Sequence, residues 1–422
     1  MSNQFRIMTP AEQFAPEVGP RLRFTKEGKV QLSEYNLGVI LEHDPALREK
    51  YKWNTCAGQV YIDAMDLENP GHKLEDHHEQ EVLMYLSTNY NINPTVKRVG
   101  NVLRWVARKF SYDPIKEYIE GLPEWDGVER LDRLLLDQFN ASTDTGGAEE
   151  LSTEDMETLL KAMSRKFFIS AIARGLDPGC KADCSLMLSG EQGQHKSTAC
   201  AALMPSRSLF LDTKIKLGDR DGEQVLQGRW LVEIKELAGF KGKQAAAVKA
   251  YLDEQIVSIR PQHGRHFGDV PRRCVFIGTT NEATPLNDPT GSRRYWVVKV
   301  RDIDIAFLKA WRDEIWAEAL AAYRAGEQWW LSKDEEKLLQ KNNSNFQHND
   351  EWSPIVERYM VANSDVTIMD VLTTRPPNGL GLSRREAGLS EQRRVGNILR
   401  MLGYSKKQKR MNGGKTTIWI KK

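Results

Sequence analysis

No stretch of this 422-residue chain approaches the ~20 consecutive apolar residues of a membrane span. The opening MSNQFRIMTPAEQF also lacks the basic and apolar regions of a secretory signal. A cytoplasmic protein without a membrane partner is expected. Cysteine is scarce: there are five, an odd number that suits a reducing compartment better than a disulfide framework. Cys180 and Cys184 are spaced CxxxC, but no second cysteine or histidine pair stands nearby to complete a zinc site, so they read as structural. Ahead of Cys184 there is no clustered aspartate pair of the kind a polymerase-type metal site uses. Priming would therefore need another chain.

What is present is enough for packed cores, with 40% hydrophobic residues and a length that suits about two or three domains. The net charge of +2 conceals an asymmetry. Asp144 to Glu157 holds six acidic residues and no basic one, in a Gly/Ser/Thr-rich context that reads as a solvated linker. Gln392 to Lys422 carries ten Lys or Arg and no acid. A polyanion is the natural partner for that end.

The most informative segment is CSLMLSGEQGQHKST, Cys184 to Thr198. Leu186, Met187 and Leu188 form the apolar run of a buried parallel strand, and Ala199 to Met204 can continue as a short helix that Pro205 stops. The loop between them, Gly190, Glu191, Gln192, Gly193, Gln194 and His195, followed by Lys196, Ser197 and Thr198, has the composition of a triphosphate cradle. Backbone N–H groups wrap phosphate oxygens, Lys196 reaches the β and γ phosphates, and Ser197 ligates Mg²⁺. One position is irregular, because His195 stands where the usual pattern has glycine, and a side chain there is expected to crowd the loop. A chance glycine turn before a helix is the plainer reading, but the flanking strand and helix argue against it.

Hydrolysis of ATP needs acidic groups to hold metal and orient water, and a cation for the charge developing on the γ-phosphate. RWLVEIKEL places Glu233 and Glu236 at the carboxyl end of an apolar strand, as catalytic and Mg²⁺-holding candidates; one surface and one salt-bridged glutamate is the alternative. VFIGTTNE delivers Thr279, Thr280 and Asn281 to the same sheet edge, where Asn281 suits holding the attacking water. DPTGSRRYW sets Arg293 and Arg294 after a glycine turn and just before a strand, which suits an arginine finger acting on a neighbouring subunit. Alternating strands and helices after the loop imply a three-layer α/β domain with a mostly parallel sheet.

Together, GxxGxxKST, WLVEIKEL, VKAYL, a basic hairpin, VFIGTTNE and DPTGSRRYW resemble the virulence-associated protein E family, over roughly Tyr35 to Val300 including WDGVERLD. Those proteins look like superfamily 3 helicases of phages and mobile elements. The resemblance implies an AAA+-like ATPase that forms a ring, a hexamer, and translocates on single-stranded or forked DNA during replication, alongside partners such as a primase or initiator. It implies ATP and Mg²⁺ at Lys196 and Ser197, Glu233 or Glu236 as the acidic pair, Asn281 as polar sensor, and Arg294 with Arg293 as the trans-acting finger. The hairpin centred on Gln262 to Arg265 would project into the channel, with Arg260, His263, Arg265 and His266 on DNA; a solvated surface hairpin is the alternative. A DNA-binding initiator or regulator in which ATP only controls assembly is the competing functional class.

The expected organisation is a flexible arm over 1–34, a mostly helical domain over 35–142, an acidic linker over 143–157, the ATPase core over 158–330, a linker over 331–350 and a basic domain over 351–422. In the last, Val395, Ile398, Leu399 and Leu402 have helical spacing, Gly403 ends the helix, and two strands flank Met411 to Gly414. That suggests a winged helix whose wing carries Lys406, Lys407, Lys409, Arg410 and Lys415 to DNA.

Overall fold

Asn36 organises the first unit of the fold. The computed structural model describes residues 9–421 apart from positions 68, 145–150, 214–219, 236–242, 260–266, 287–291, 347–350 and 412–413. The Asn36 amide, fully buried in helix Glu34–His43, donates to Arg23 O and Gln31 O and accepts from Arg23 N. These bonds tie the preceding segment down, and Val18, Leu22 and Val30 join the core beneath it. Residues 9–31 are thus a packed part of the unit rather than the flexible arm expected over 1–34.

The unit is also less helical than expected. Beside helices Asp76–Tyr90 and Val96–Ala107 it holds a four-stranded sheet of β1 (Tyr51–Asn54), β2 (Gln59–Ile62), β3 (His72–Lys73) and β4 (Ser111–Tyr112), in the order β3-β2-β1-β4. Val39, Ile40 and Leu41 lie inside helix Glu34–His43, whose start Ser33 caps by accepting from Asn36 N.

The central unit is built on five parallel strands. Its strands are β5 (Ser185–Ser189), β6 (Phe210–Thr213), β7 (Leu231–Lys235), β10 (Val275–Thr280) and β11 (Tyr295–Lys299), with a hairpin, β8 (Ile256–Ile259) and β9 (Gly268–Pro271), inserted between β7 and β10. The sheet order is β11-β5-β10-β7-β6, so β5 and β10 lie centrally. Alternation along the strands feeds two apolar layers. Leu186, Leu188, Ile277 and Val298 face a cluster that includes Phe167 and Phe168 of helix Thr153–Leu176. Met187, Val232, Phe276 and Val297 face Val248, Tyr251 and Leu252 of helix Lys243–Asp253. Trp230 is completely buried in the first layer, its indole N–H donating 2.8 Å to Ala171 O and its ring 4.5 Å from that of Trp316. Burying such a ring contributes roughly 2–3 kcal/mol.

Parts of two expected linkers belong to helices. Of the acidic run, Glu154, Asp155 and Glu157 belong to helix Thr153–Leu176; Ser152 caps it and the first-turn acids suit its dipole. The Asn-rich stretch after Trp330 lies largely in helix Lys333–Ser344, which packs on edge strand β11. Asn343 donates to Tyr295 O, Asn342 to Val297 O and Ser142 N to Lys299 O, so the outward carbonyls of that edge are covered. Upstream, Leu131, Leu134, Leu135 and Phe139 are buried as their spacing predicts, and buried Glu318 accepts from Arg130 N and Leu131 N at the head of that turn.

The C-terminal unit packs helices Ser353–Ala362, Ile368–Thr373 and Leu389–Met401 against a hairpin of β12 (Tyr404–Met411) and β13 (Gly414–Lys421). Trp419 of β13, only 2% exposed, is its central aromatic. Gly403, at φ 81°, makes the left-handed turn from helix to hairpin.

Candidate nucleotide site

The parallel sheet sends the carboxyl ends of β5, β7 and β10 to one edge, and there a cleft of about 380 Å³ opens. The loop after β5 forms one wall. Gly190 must be glycine because a Cβ there would lie 2.7 Å from Val300 O. Gly193 has φ 91° and His195 φ 56°, just before helix Lys196–Ala202. The imidazole of His195 is exposed, so it does not crowd the loop. The irregularity lies in the backbone: a left-handed residue with a Cβ is strained by roughly 1–2 kcal/mol, and glycine would relieve it.

Lys196 is nearly buried and its ammonium donates to Gly190 O at 2.7 Å, Glu191 O at 2.7 Å and Asn281 Oδ1 at 3.0 Å. Burial lowers its pKa from the ordinary lysine value, against the opposing pull of Glu233. Glu233 is completely buried on β7. Its Oε1 accepts from Ser197 Oγ and Thr279 Oγ1, both at 2.5 Å, while its Oε2 has no hydrogen-bond partner among the described residues. A surface location is thereby ruled out for this residue. An unpaired buried carboxylate oxygen is costly, and a buried carboxylate bonded to the serine that follows Lys196 fits a metal-held phosphate better than a packing role. Ser197 and Glu233 would hold Mg²⁺, which keeps several waters and takes few protein ligands.

The structure brings together Gln192, Gly193, Gln194, His195, Lys196, Ser197, Thr198, Thr279, Thr280 and Asn281 in the cleft, with Gly190, Glu191 and Glu233 in contact with Lys196 or Ser197. It adds Lys235, which sequence reasoning passed over although it ends the same apolar strand as Glu233. Glu236, Arg260, His263, Arg265 and His266 lie outside the described residues. The strands β8 and β9 that carry the proposed hairpin do pair antiparallel, Ile256 opposite Pro271 and Ile259 opposite Gly268.

Arg293 and Arg294 are not at this cleft. They precede Tyr295, which pairs with Ser185 at the start of β5, whereas the loop follows Ser189 at its end. Within one chain the sheet stands between them and the cleft. Arg294 is held by Asp253, with Nε 2.6 Å and NH2 2.5 Å from the carboxylate, whereas Arg293 is half exposed with Glu336 at 3.8 Å. The two arginines that sequence reading grouped as one finger are thus in different states.

On the C-terminal hairpin, Lys407, Arg410 and Lys415 are exposed, Lys409 pairs with Asp365, and the Lys406 ammonium lies 5.6 Å from the Trp419 ring. Arg410 stands directly opposite Lys415. Like charges facing across strands destabilise a hairpin, and a bound polyanion would remove that penalty. Burial pushes the Cys180 and Cys184 thiols up, to about 11 and about 12, which agrees with structural roles. No group of three or more metal-ligating side chains occurs among the described residues.

The family description of a virulence-associated protein E-like domain matches residues 119–348, more than half of the chain. The chain belongs to the virulence-associated protein E-like family. The matched span starts within helix Pro114–Glu120, contains every strand from β5 to β11, and ends after helix Lys333–Ser344. Comparison with curated proteins finds no match. Among solved structures, the A-form apo structure of the NrS-1 C-terminal region is similar at 12% identity and TM-score 0.44, covering 88% of this chain and 96% of that one. A further apo structure of that region is similar at 11% identity and TM-score 0.43, covering 88% of this chain and 95% of that one. No helix among the described residues is long and apolar enough to cross a membrane.

Proposed function

We propose that this virulence-associated protein E-like chain is an ATP-dependent DNA translocase or helicase of a phage or mobile element, acting in its replication as a ring. The buried carboxylate of Glu233 carries the reading. It is anchored by Ser197 and Thr279 through one oxygen and keeps the other buried and without a partner among the described residues. The strand order β11-β5-β10-β7-β6 and the apolar layers on both sheet faces support an AAA+-like, superfamily 3 core. Helix Leu389–Met401 followed by the β12–β13 hairpin supports a winged-helix-like end.

In this reading the loop N–H groups and Lys196 bind and orient the triphosphate. Mg²⁺, when bound, neutralises charge on the phosphate oxygens. Asn281 positions water, and Glu233 accepts its proton through Oε2. The cation for the γ-phosphate comes from a neighbouring subunit, because the sheet separates Arg293 and Arg294 from their own cleft. Hydrolysis stimulated by single-stranded DNA, together with separation of a forked duplex, tests the proposal; ATP binding without either would leave a regulator of assembly.

Two further results are expected. In wild-type rings mixed with Arg293→Ala/Arg294→Ala subunits, hydrolysis should fall below the line of simple dilution, whereas a proportional decline would count against a shared site. Reversing charge at Lys407, Arg410 and Lys415 should flatten the salt dependence of single-strand binding. At ~0.7 in log–log slope per neutralised phosphate, three lost contacts remove about 2. An unchanged slope would mean that the hairpin does not hold DNA.

A further inference from the structure

The N-terminal unit carries a surface that the nucleotide site leaves unexplained. Helix Val96–Ala107 buries Val99, Val102, Leu103 and Val106. Its opposite side exposes Lys97, Asn101 and Trp105, at i, i+4 and i+8, and Arg108 continues the row. The row is ~16 Å long at helical rise. From Thr95 to Phe110 the sequence holds five basic residues and no acidic one. Arg98, Arg104 and Lys109 have glutamate partners, Glu34, Glu79 and Glu42. Lys97 and Arg108 have no ion pair among the described residues.

Three cation–ring contacts accompany this row. Lys109 lies 4.4 Å from the Trp105 ring, Arg108 4.3 Å from Trp53 and Arg23 3.8 Å from Tyr35. In each, attraction between the cation and the ring quadrupole holds a positive charge against an aromatic ring. They are also contiguous. Trp105 packs toward Gly38, one turn beyond Tyr35 on the neighbouring helix, and Arg108 adjoins Lys109. Trp105 is 56% exposed, so much of its indole remains open to solvent.

We propose that this face, centred on Trp105, is a binding site for single-stranded DNA, separate from the hairpins. A half-exposed indole flanked by cations suits stacking on an unpaired base together with contact to its phosphate backbone. The charge of the rim disfavours an apolar protein partner, and stacking on the indole requires unpaired bases, which disfavours duplex. The site is independent of the nucleotide cleft.

The full chain, irradiated with oligothymidylate carrying 5-iododeoxyuridine, should form an adduct that maps to the peptide containing Trp105. Adducts confined to other regions would overturn the proposal. Trp105→Ala should weaken oligothymidylate binding roughly tenfold, the effect of losing one stacked base, and Trp105→Phe should restore most of it. Affinity unchanged within twofold would count against the site. Duplex of the same length should compete poorly, and equal competition would remove the single-strand assignment. Lys196→Ala should leave the Trp105 adduct intact, so failure here and failure of the nucleotide reading are separately visible.

Discussion

Lys196→Ala is expected to lower ATP hydrolysis by two to three orders of magnitude while leaving the protein folded. The ammonium is the cation of the loop, held by two carbonyls and Asn281 within the cleft. Those three acceptors take all three of its N–H donors, so an entering phosphate oxygen displaces one of them and then meets a charge already desolvated and positioned. Removing one preorganised donor of this kind costs about 2.7–4 kcal/mol in the transition state. The fold should tolerate the change because the strand, helix and Ser197–Glu233 contact do not depend on it. Lys196→Arg should fail as well, since a planar fork cannot reproduce a compact ammonium in the same three-acceptor nest. Phosphate release and a thermal melt check both halves. Hydrolysis near the wild-type rate would remove the loop from the mechanism.

This site was legible in sequence to the extent that it was local. Strand β5, its glycine loop and Lys196 adjoin along the chain, and the apolar runs before Glu233 and Asn281 announce their own strands. What pairs with what was not legible. Thr279 and Ser197 meet on one oxygen of Glu233 only because β10 and β7 are neighbours, and parallel neighbours leave no mark in either sequence. Arg294 looked like a free cation, but Asp253, 41 residues earlier, holds it. Asn342 and Asn343 read as linker by composition, yet their amides cover carbonyls of β11, a use that appears only once β11 is known to be an edge. The role of Asn36 is hidden in the same way, since a buried amide that sews three backbone groups is indistinguishable in sequence from a polar helix residue. His195 was legible as an anomaly and misread in cause, because a left-handed φ is invisible until the loop is built.

Glu233→Gln should separate catalysis from structure by moving activity and stability in opposite directions. The amide oxygen can still accept from Ser197 and Thr279, so the polar contacts that order this part of the sheet persist. The amide nitrogen replaces Oε2, a donor where an acceptor stood, and it can neither take a proton from water nor hold a divalent cation. Hydrolysis should fall at least a hundredfold, with ATP binding reduced far less. Stability should rise, because a buried charge with one oxygen unpaired is replaced by a neutral group of the same shape. A gain of about 1 kcal/mol raises Tm by roughly 2–4 °C in a domain of 150–250 residues. A glutamate kept for packing alone would behave otherwise: the substitution would leave hydrolysis intact and would not raise Tm. Glu233→Ala gives the contrast, since it strands the buried Thr279 hydroxyl and the half-buried Ser197 hydroxyl and leaves a cavity, so it should lose activity and stability together. The pair of variants therefore decides whether the unpaired oxygen is an accident of packing or the place where water is activated.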